Sequence, residues 1–230
     1  MSESTAWPRA VLFDLDGTLI DSAPDIAACT NILLAQDGHP PLTVDQVRTM
    51  IGNGVGKLVE RAYRASGAPL LGRALDDAIA RMMPIYADNL FGETIILPGA
   101  VEAMRDLAQS GVAVAVVSNK PAPFTAEICA HYGFQPYLAG VQGAEDHLPK
   151  KPAPDMLLAA MAKCGATAGD TLMVGDSGTD VQAARNAGLP VVVVRGGYGQ
   201  HAGADELGAD AVIDTLHDLT AAVEKLAAQR

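Results

Sequence analysis

Four short stretches of this chain carry side chains able to do chemistry. Asp14 and Asp16, two residues apart, follow the apolar run Ala10-Val11-Leu12-Phe13 and lead into Gly17 and Thr18. Ser118, Asn119 and Lys120 follow the apolar run 112–117. Lys151 sits in a loop bounded by Pro152 and Pro154. Asp176 follows the run 171–174, with Asp180 four residues further on. The carboxylates of Asp14 and Asp176 are hard oxygen donors and suit Mg²⁺ rather than zinc. A carboxylate beside such a metal can attack phosphorus and form an aspartyl-phosphate. Strand alternation, continued past Phe13, turns Asp16 to the same side as Asp14. There it can protonate a leaving oxygen and later take a proton from attacking water. Ser118, Asn119 and Lys151 add hydrogen-bond donors and positive charge for phosphoryl oxygens. Taken singly, each has a plainer reading: a turn aspartate, a helix cap, a surface lysine. Their order behind successive apolar runs is what joins them.

The elements that must position these groups follow from patterning. Apolar runs at 10–13, 112–117, 171–174 and 190–194 suit strands buried on both faces of a parallel sheet. Helical patterns lie between them at 99–110, 155–164 and 179–186, with a last one marked by Leu216, Leu219, Val223 and Leu226. Gly111 and Gly188 are natural helix stops. Alternating strand and helix predicts an α/β fold, a Rossmann-like doubly wound parallel sheet. Ligands in such sheets sit beyond the carboxyl ends of the strands, where all four groups fall. Residues 22–96 break the rhythm. They hold helical patterns at 23–35, 44–50, 56–65 and 75–90, and no convincing strand. Thr43 with Gln46 forms a capping-box pattern. We read this stretch as an all-helical insert, with linkers near 20–22 and 95–98.

Composition narrows the function classes. The chain has 230 residues, 49% hydrophobic and 19% charged, with a formal net charge of −11. Its length suits one large domain or one domain with an insert. The excess acid argues against nucleic acid or an anionic membrane as partner. Cys29, Cys129 and Cys164 form no CxxC, so a reducing, cytoplasmic setting is expected. No apolar run is long enough to span a bilayer, and residues 1–9 show no secretory h-region. The five histidines, His39, His131, His147, His201 and His217, form no metal signature. Oligomeric state is not legible.

Gly52, Gly54 and Gly56 with Lys57 look at first like a phosphate loop, but Leu58 follows the lysine and no strand precedes it. One reading is a plain helix–helix turn. The other is a specificity loop, with backbone amides near Gly54 approaching a small carboxylate and Lys57 or Arg61 adding charge. Asp21 and Asp25 lie where the insert begins and suit either helix N-terminal charge or a gating role.

Residues 13–19 resemble motif I of the haloacid dehalogenase superfamily of phosphotransferases. Val117-Ser118-Asn119 resembles its motif II, Lys151-Pro152 its motif III, and Gly175-Asp176 through Asp180 its motif IV. That resemblance implies Asp14 as nucleophile and Asp16 as general acid/base. It implies Mg²⁺ held by Asp14, the Asp16 backbone carbonyl and Asp176, with Asp180 behind them and Thr18 orienting the Asp16 side chain. Residues 22–96 are similar to the family's helical C1 cap, and 1–21 with 97–230 to its core. Residues 16–25, 51–62 and 150–155 are similar to the bacterial phosphoglycolate phosphatases within that superfamily. They imply hydrolysis of a small phosphorylated carboxylic acid, foremost 2-phosphoglycolate. A phosphosugar mutase, a pyrophosphatase or another metabolite phosphatase shares the same four motifs. The loop 195–199 departs from the subfamily's Thr-rich turn. A signalling receiver domain also takes phosphate on an aspartate, but it has no helical insert and carries that aspartate after a later strand.

Overall fold

The computed structural model describes residues 7–199 and 203–230. Residues 1–6, part of the stretch read for a leader, and His201 lie outside them. The strands are β1 (Ala10–Phe13), β2 (Ile20–Asp21), β3 (Ile95–Ile96), β4 (Ala113–Pro121), β5 (Leu138–Ala144), β6 (Thr171–Gly175), β7 (Val191–Val194) and β8 (Ala211–Ile213). The α-helices are α1 (Ala23–Gln36), α2 (Val44–Arg48), α3 (Val55–Ala65), α4 (Arg73–Ala87), α5 (Ala100–Gln109), α6 (Ala122–His131), α7 (Asp155–Cys164), α8 (Gly178–Ala187) and α9 (Leu219–Ala227).

Six strands form one sheet in the order β5-β4-β1-β6-β7-β8, every pairing parallel. β1 is central and fully buried, and its side chains alternate between two cores. Val11 and Phe13 pack in one cluster, Leu12 in the other. That two-sided burial explains why β1 reads as an unbroken apolar run. The chain leaves β1 toward β4 and β5 and returns on the other side as β6, so the order reverses at β1. The crevice beyond the carboxyl ends of β1, β4 and β6 is therefore the expected ligand site.

Helices α1–α4 lie between β2 and β3 and pack on one another. The linker readings need one correction. Both linkers are strands: Ile20 pairs with Ile96 and Asp21 with Ile95, antiparallel. Pattern reading also passes over β5, β8 and α6. β5 holds two glycines and no alternation, and it forms because β4 offers it a ladder edge. β4 itself runs on to Pro121, so Ser118, Asn119 and Lys120 lie inside the strand rather than after it. Among the described residues no helix is long and apolar enough to cross a membrane.

Candidate active site

Asp14 is the first residue past β1, and its amide donates to Val174 O (2.9 Å), tying it to β6. Lys151 approaches from the loop before α7. Its ammonium donates to Val117 O (2.8 Å) and Asp180 Oδ1 (2.7 Å) and stands 2.8 Å from Asp14 Oδ1. Three acceptors use its three N–H bonds. Asp180 is fixed by the N-terminus of α8. Its Oδ2 accepts from Ser177 Oγ (2.6 Å) and the Ser177 amide (3.1 Å) in a capping box that seats the helix.

Asp176, at the end of β6, accepts the Tyr198 amide on Oδ2 (2.6 Å) and the Thr18 hydroxyl on Oδ1 (3.4 Å). Its space is kept by glycine. A Cβ on Gly17, whose φ is +89°, would lie 2.6 Å from Asp176 Oδ2, and one on Gly197 would lie 2.1 Å from Asp176 Cβ. Asp14, Asp176 and Asp180 are all buried, with carboxylate oxygens within 4.8 Å of one another. Burial pushes the Asp14 carboxyl up to about 7, helped by the Asp180 charge and opposed by Lys151. Burial, then Asp180 and Asp14, also pushes Asp176 well above the carboxylate range. Crowded, dehydrated carboxylates of this kind are short of positive charge. A hard divalent cation fits that need and that donor set.

Asp16 faces a different partner set. Its Oδ1 accepts from Ser22 Oγ (2.5 Å) and from Lys120 Nζ (2.6 Å). Asp14, Asp16, Ser118, Asn119 and Lys120 line a cavity of about 40 Å³. Its other wall comes from the helical insert: Ile26, Gly52, Gly54, Val55, Leu58 and Tyr86. The Ser118 hydroxyl accepts from the Lys120 amide (3.2 Å) and keeps its own proton for an oxygen in the cavity.

Comparison with known proteins fits this geometry. Residues 8–188 match the family model described as haloacid dehalogenase-like hydrolase. The chain belongs to this family of hydrolases. A Caulobacter vibrioides protein named phosphoglycolate phosphatase is 37% identical, over 91% of this chain and 88% of its own. A plasmid-encoded phosphoglycolate phosphatase of Cupriavidus necator is 39% identical, over 92% and 91%. The crystal structure of a predicted phosphoglycolate phosphatase from Haemophilus somnus superposes with a TM-score of 0.86 at 28% identity, covering 94% of this chain and 97% of that one. The hydrolase is thus an enzyme of the phosphoric monoester hydrolase class.

The hydrolase departs from several residue expectations. Asn119 has no side-chain donor left for a phosphoryl oxygen. Its Nδ2 donates to Gly52 O and Lys151 O (2.9 Å each), and its Oδ1 accepts the Lys151 amide (2.9 Å). It buckles the Lys151 loop and the insert to β4 instead. Thr18 reaches Asp176 rather than Asp16, because the turn at Gly17 swings the chain away. Asp16 takes its orientation from Ser22 and Lys120. Gly54 lines the cavity as the N-cap of α3. Lys57 is solvent-exposed and paired with Glu60 (2.6 Å), outside the cavity lining. Arg61 donates to Met50 O and Asn53 Oδ1, also outside it. Asp25 is a structural anchor: it accepts the amides of Glu93 and Thr94 where the insert returns. Lys120 is the site residue that no motif marks. A signal was present, since Ser118 and Lys120 are two apart and share a face if the strand continues.

Proposed function

We propose that this hydrolase cleaves 2-phosphoglycolate to glycolate and inorganic phosphate through an aspartyl-phosphate on Asp14. The observation that carries the reading is the pairing of two carboxylates with opposite surroundings on one small cavity. Asp14 is held by Lys151 on the side of the acidic cluster, and Asp16 is held by Ser22 and Lys120. Asp14 attacks phosphorus while Asp16 gives its proton to the departing glycolate oxygen. Asp16 then takes a proton from the water that attacks the aspartyl-phosphate, which frees phosphate and restores Asp14. Ser118 donates to a phosphoryl oxygen, and Lys151 fixes Asp14 in line. The Asp14 and Asp176 carboxylates with the Asp16 backbone carbonyl would hold Mg²⁺, which when bound neutralises phosphoryl charge. Asp180 holds Lys151 and the Ser177 turn behind them.

Residues 22–96 act as a cap over a core formed by 1–21 and 97–230. The cavity wall contributed by α1, α3 and α4 supports that role, and a closed cap excludes bulk water. Phosphate release across a panel of phosphorylated metabolites tests the reading. Turnover of 2-phosphoglycolate with Mg²⁺, lost in Asp14→Asn, is the expected outcome. Isomerisation of a hexose phosphate without phosphate release would replace it with a mutase.

A further inference from the structure

Two polar groups face the cavity with hydrogen-bonding capacity that phosphoryl transfer does not use up. The first is the Lys120 ammonium. Lys120 is 6% exposed, and its Nζ donates to Asp16 Oδ1 with the Tyr86 hydroxyl close by. An ammonium has three N–H bonds, so at least one remains for an oxygen in the cavity. The second is the Tyr86 hydroxyl, brought in by α4. It is buried and makes no hydrogen bond among the described residues. Burial keeps the phenol protonated, so it can donate. The two belong to one spot, since Lys120 Nζ lies 5.4 Å from the centre of the Tyr86 ring.

A third feature points the same way. Gly54 caps α3 with no side chain, and Gly54 and Val55 line the cavity. The eleven-residue helix therefore presents its positive end there. The remaining wall, Ile26 and Leu58, is apolar.

We propose that Lys120 and the Tyr86 hydroxyl, aided by the N-terminus of α3, form the subsite for a carboxylate on the substrate's non-phosphorylated end. The inference rests on the 2-phosphoglycolate reading above and names the residues that select that substrate. It moves the selecting charge from Lys57 and Arg61, which bond elsewhere, to a buried lysine of the core. A carboxylate suits the site better than a second phosphate, because the ammonium is already shared with Asp16. Lys120 has a further use here. By gripping both Asp16 and the carboxylate, it brings the acid to the leaving oxygen, which in a 2-phospho acid is two bonds from the carboxylate carbon.

The test compares kcat/KM for 2-phosphoglycolate and for 2-hydroxyethyl phosphate, whose neutral alcohol replaces the carboxylate. The wild-type enzyme, Lys120→Gln and Tyr86→Phe are assayed with Mg²⁺. Lys120→Gln also disturbs Asp16, so the ratio between substrates is the readout. The preference for 2-phosphoglycolate is expected to fall about 30-fold in Lys120→Gln and about 5-fold in Tyr86→Phe, mainly through KM. Equal losses on both substrates in both variants overturn the subsite and leave the substrate reading standing. A wild-type enzyme with no preference for 2-phosphoglycolate overturns the substrate reading itself, and the subsite with it. Should Lys120→Gln fail to fold, Tyr86→Phe, which removes a single oxygen, decides the matter alone.

Discussion

The Tyr198 hydroxyl donates to Asp21 Oδ1 at 2.6 Å, joining the loop after β7 to the linker where the insert begins. The same oxygen accepts the amides of Ser22 (2.7 Å) and Ala23 (3.0 Å). The Tyr198 amide meanwhile holds Asp176 at 2.6 Å. One residue thus binds the acidic cluster at one end and the root of the insert at the other. Arg48 closes the arrangement, stacking 5.2 Å from the Tyr198 ring and pairing with Asp21 (3.1 Å).

Tyr198→Phe removes the acceptor of the buried Ser22 amide without changing the ring, while the Ala23 amide keeps Asp21 Oδ1 (3.2 Å). A loss of about 1–3 kcal/mol is expected in urea unfolding, the desolvation penalty of stranded polar groups. The unchanged backbone amide keeps its bond to Asp176, so activity should fall less than the stability change suggests.

Asp21 gives this variant a pH signature. Burial raises its carboxyl, but hydrogen bonds from Tyr198 and Arg48 outweigh burial and hold it below the usual range. A depressed carboxyl contributes stability above its unfolded value of about 3.9. That contribution is lost as pH falls through the lower folded value. Wild type should therefore lose stability more steeply than Tyr198→Phe as pH drops below about 4, measured as urea midpoints at successive pH values.

The acidic cluster has the opposite sign. Asp14 and Asp176 carry raised carboxyls in the metal-free protein, with Asp14 at about 7. Ionising Asp14 in the fold costs stability as pH rises from its unfolded value toward about 7, where that cost levels, and ionising Asp176 adds a cost of the same sign. Asp176→Asn removes a charge and keeps an oxygen for the Tyr198 amide. In chelator at pH 8 it should melt higher than wild type, by roughly 1 kcal/mol, while losing activity. Mg²⁺ should raise the wild-type melting temperature more at pH 8 than at pH 5. A metal response in Asp176→Asn equal to wild type would remove Asp176 from the ligand set.

Lys151→Met leaves Asp14 and Asp180 without their shared cation in a buried site. Breaking such a pair costs about 3–5 kcal/mol, and turnover should vanish. Denaturant unfolding and a phosphate-release assay read the two effects separately.

Gly17→Ala tests the space around Asp176. The new Cβ meets Asp176 Oδ2 at 2.6 Å, and the residue must keep a φ of +89°. Left-handed backbone alone costs a residue about 1–2 kcal/mol. Loss of Mg²⁺-dependent stabilisation is expected beyond that, read as a smaller melting shift on adding metal.

Much of the site was legible because its chemistry sits next to the strands that carry it. Asp14 and Asp176 each follow a fully buried run, and a buried run announces itself in sequence. Lys120 was legible only as the neighbour of Ser118 and Asn119, and its role was hidden for the converse reason. Its partners are 104 residues away in Asp16 and on helix α4 of the insert in Tyr86, and only the fold brings them together. Asn119 was assigned to the wrong partner on similar grounds: its donors are taken by carbonyls 67 and 32 residues distant. β5 stayed hidden because its glycines and half-exposed face give no period, whereas β4 supplies the hydrogen bonds that define it.

The pairing of β2 with β3 has a consequence for how such a molecule can vary. The chain departs at Asp21 and returns at Ile95, its neighbour across the ribbon. To the sheet, the intervening residues are a ring clasped at its base, and the entropy of closing a ring grows only with the logarithm of its length. Changing the length of the ring therefore changes the closure entropy of the sheet only slightly. The aspartates stay with the sheet, while the Tyr86 and Gly54 wall travels with the ring. Lys120 stays with the aspartates, so only the part of selectivity that rests on Tyr86 and Gly54 is free to drift apart from the reaction.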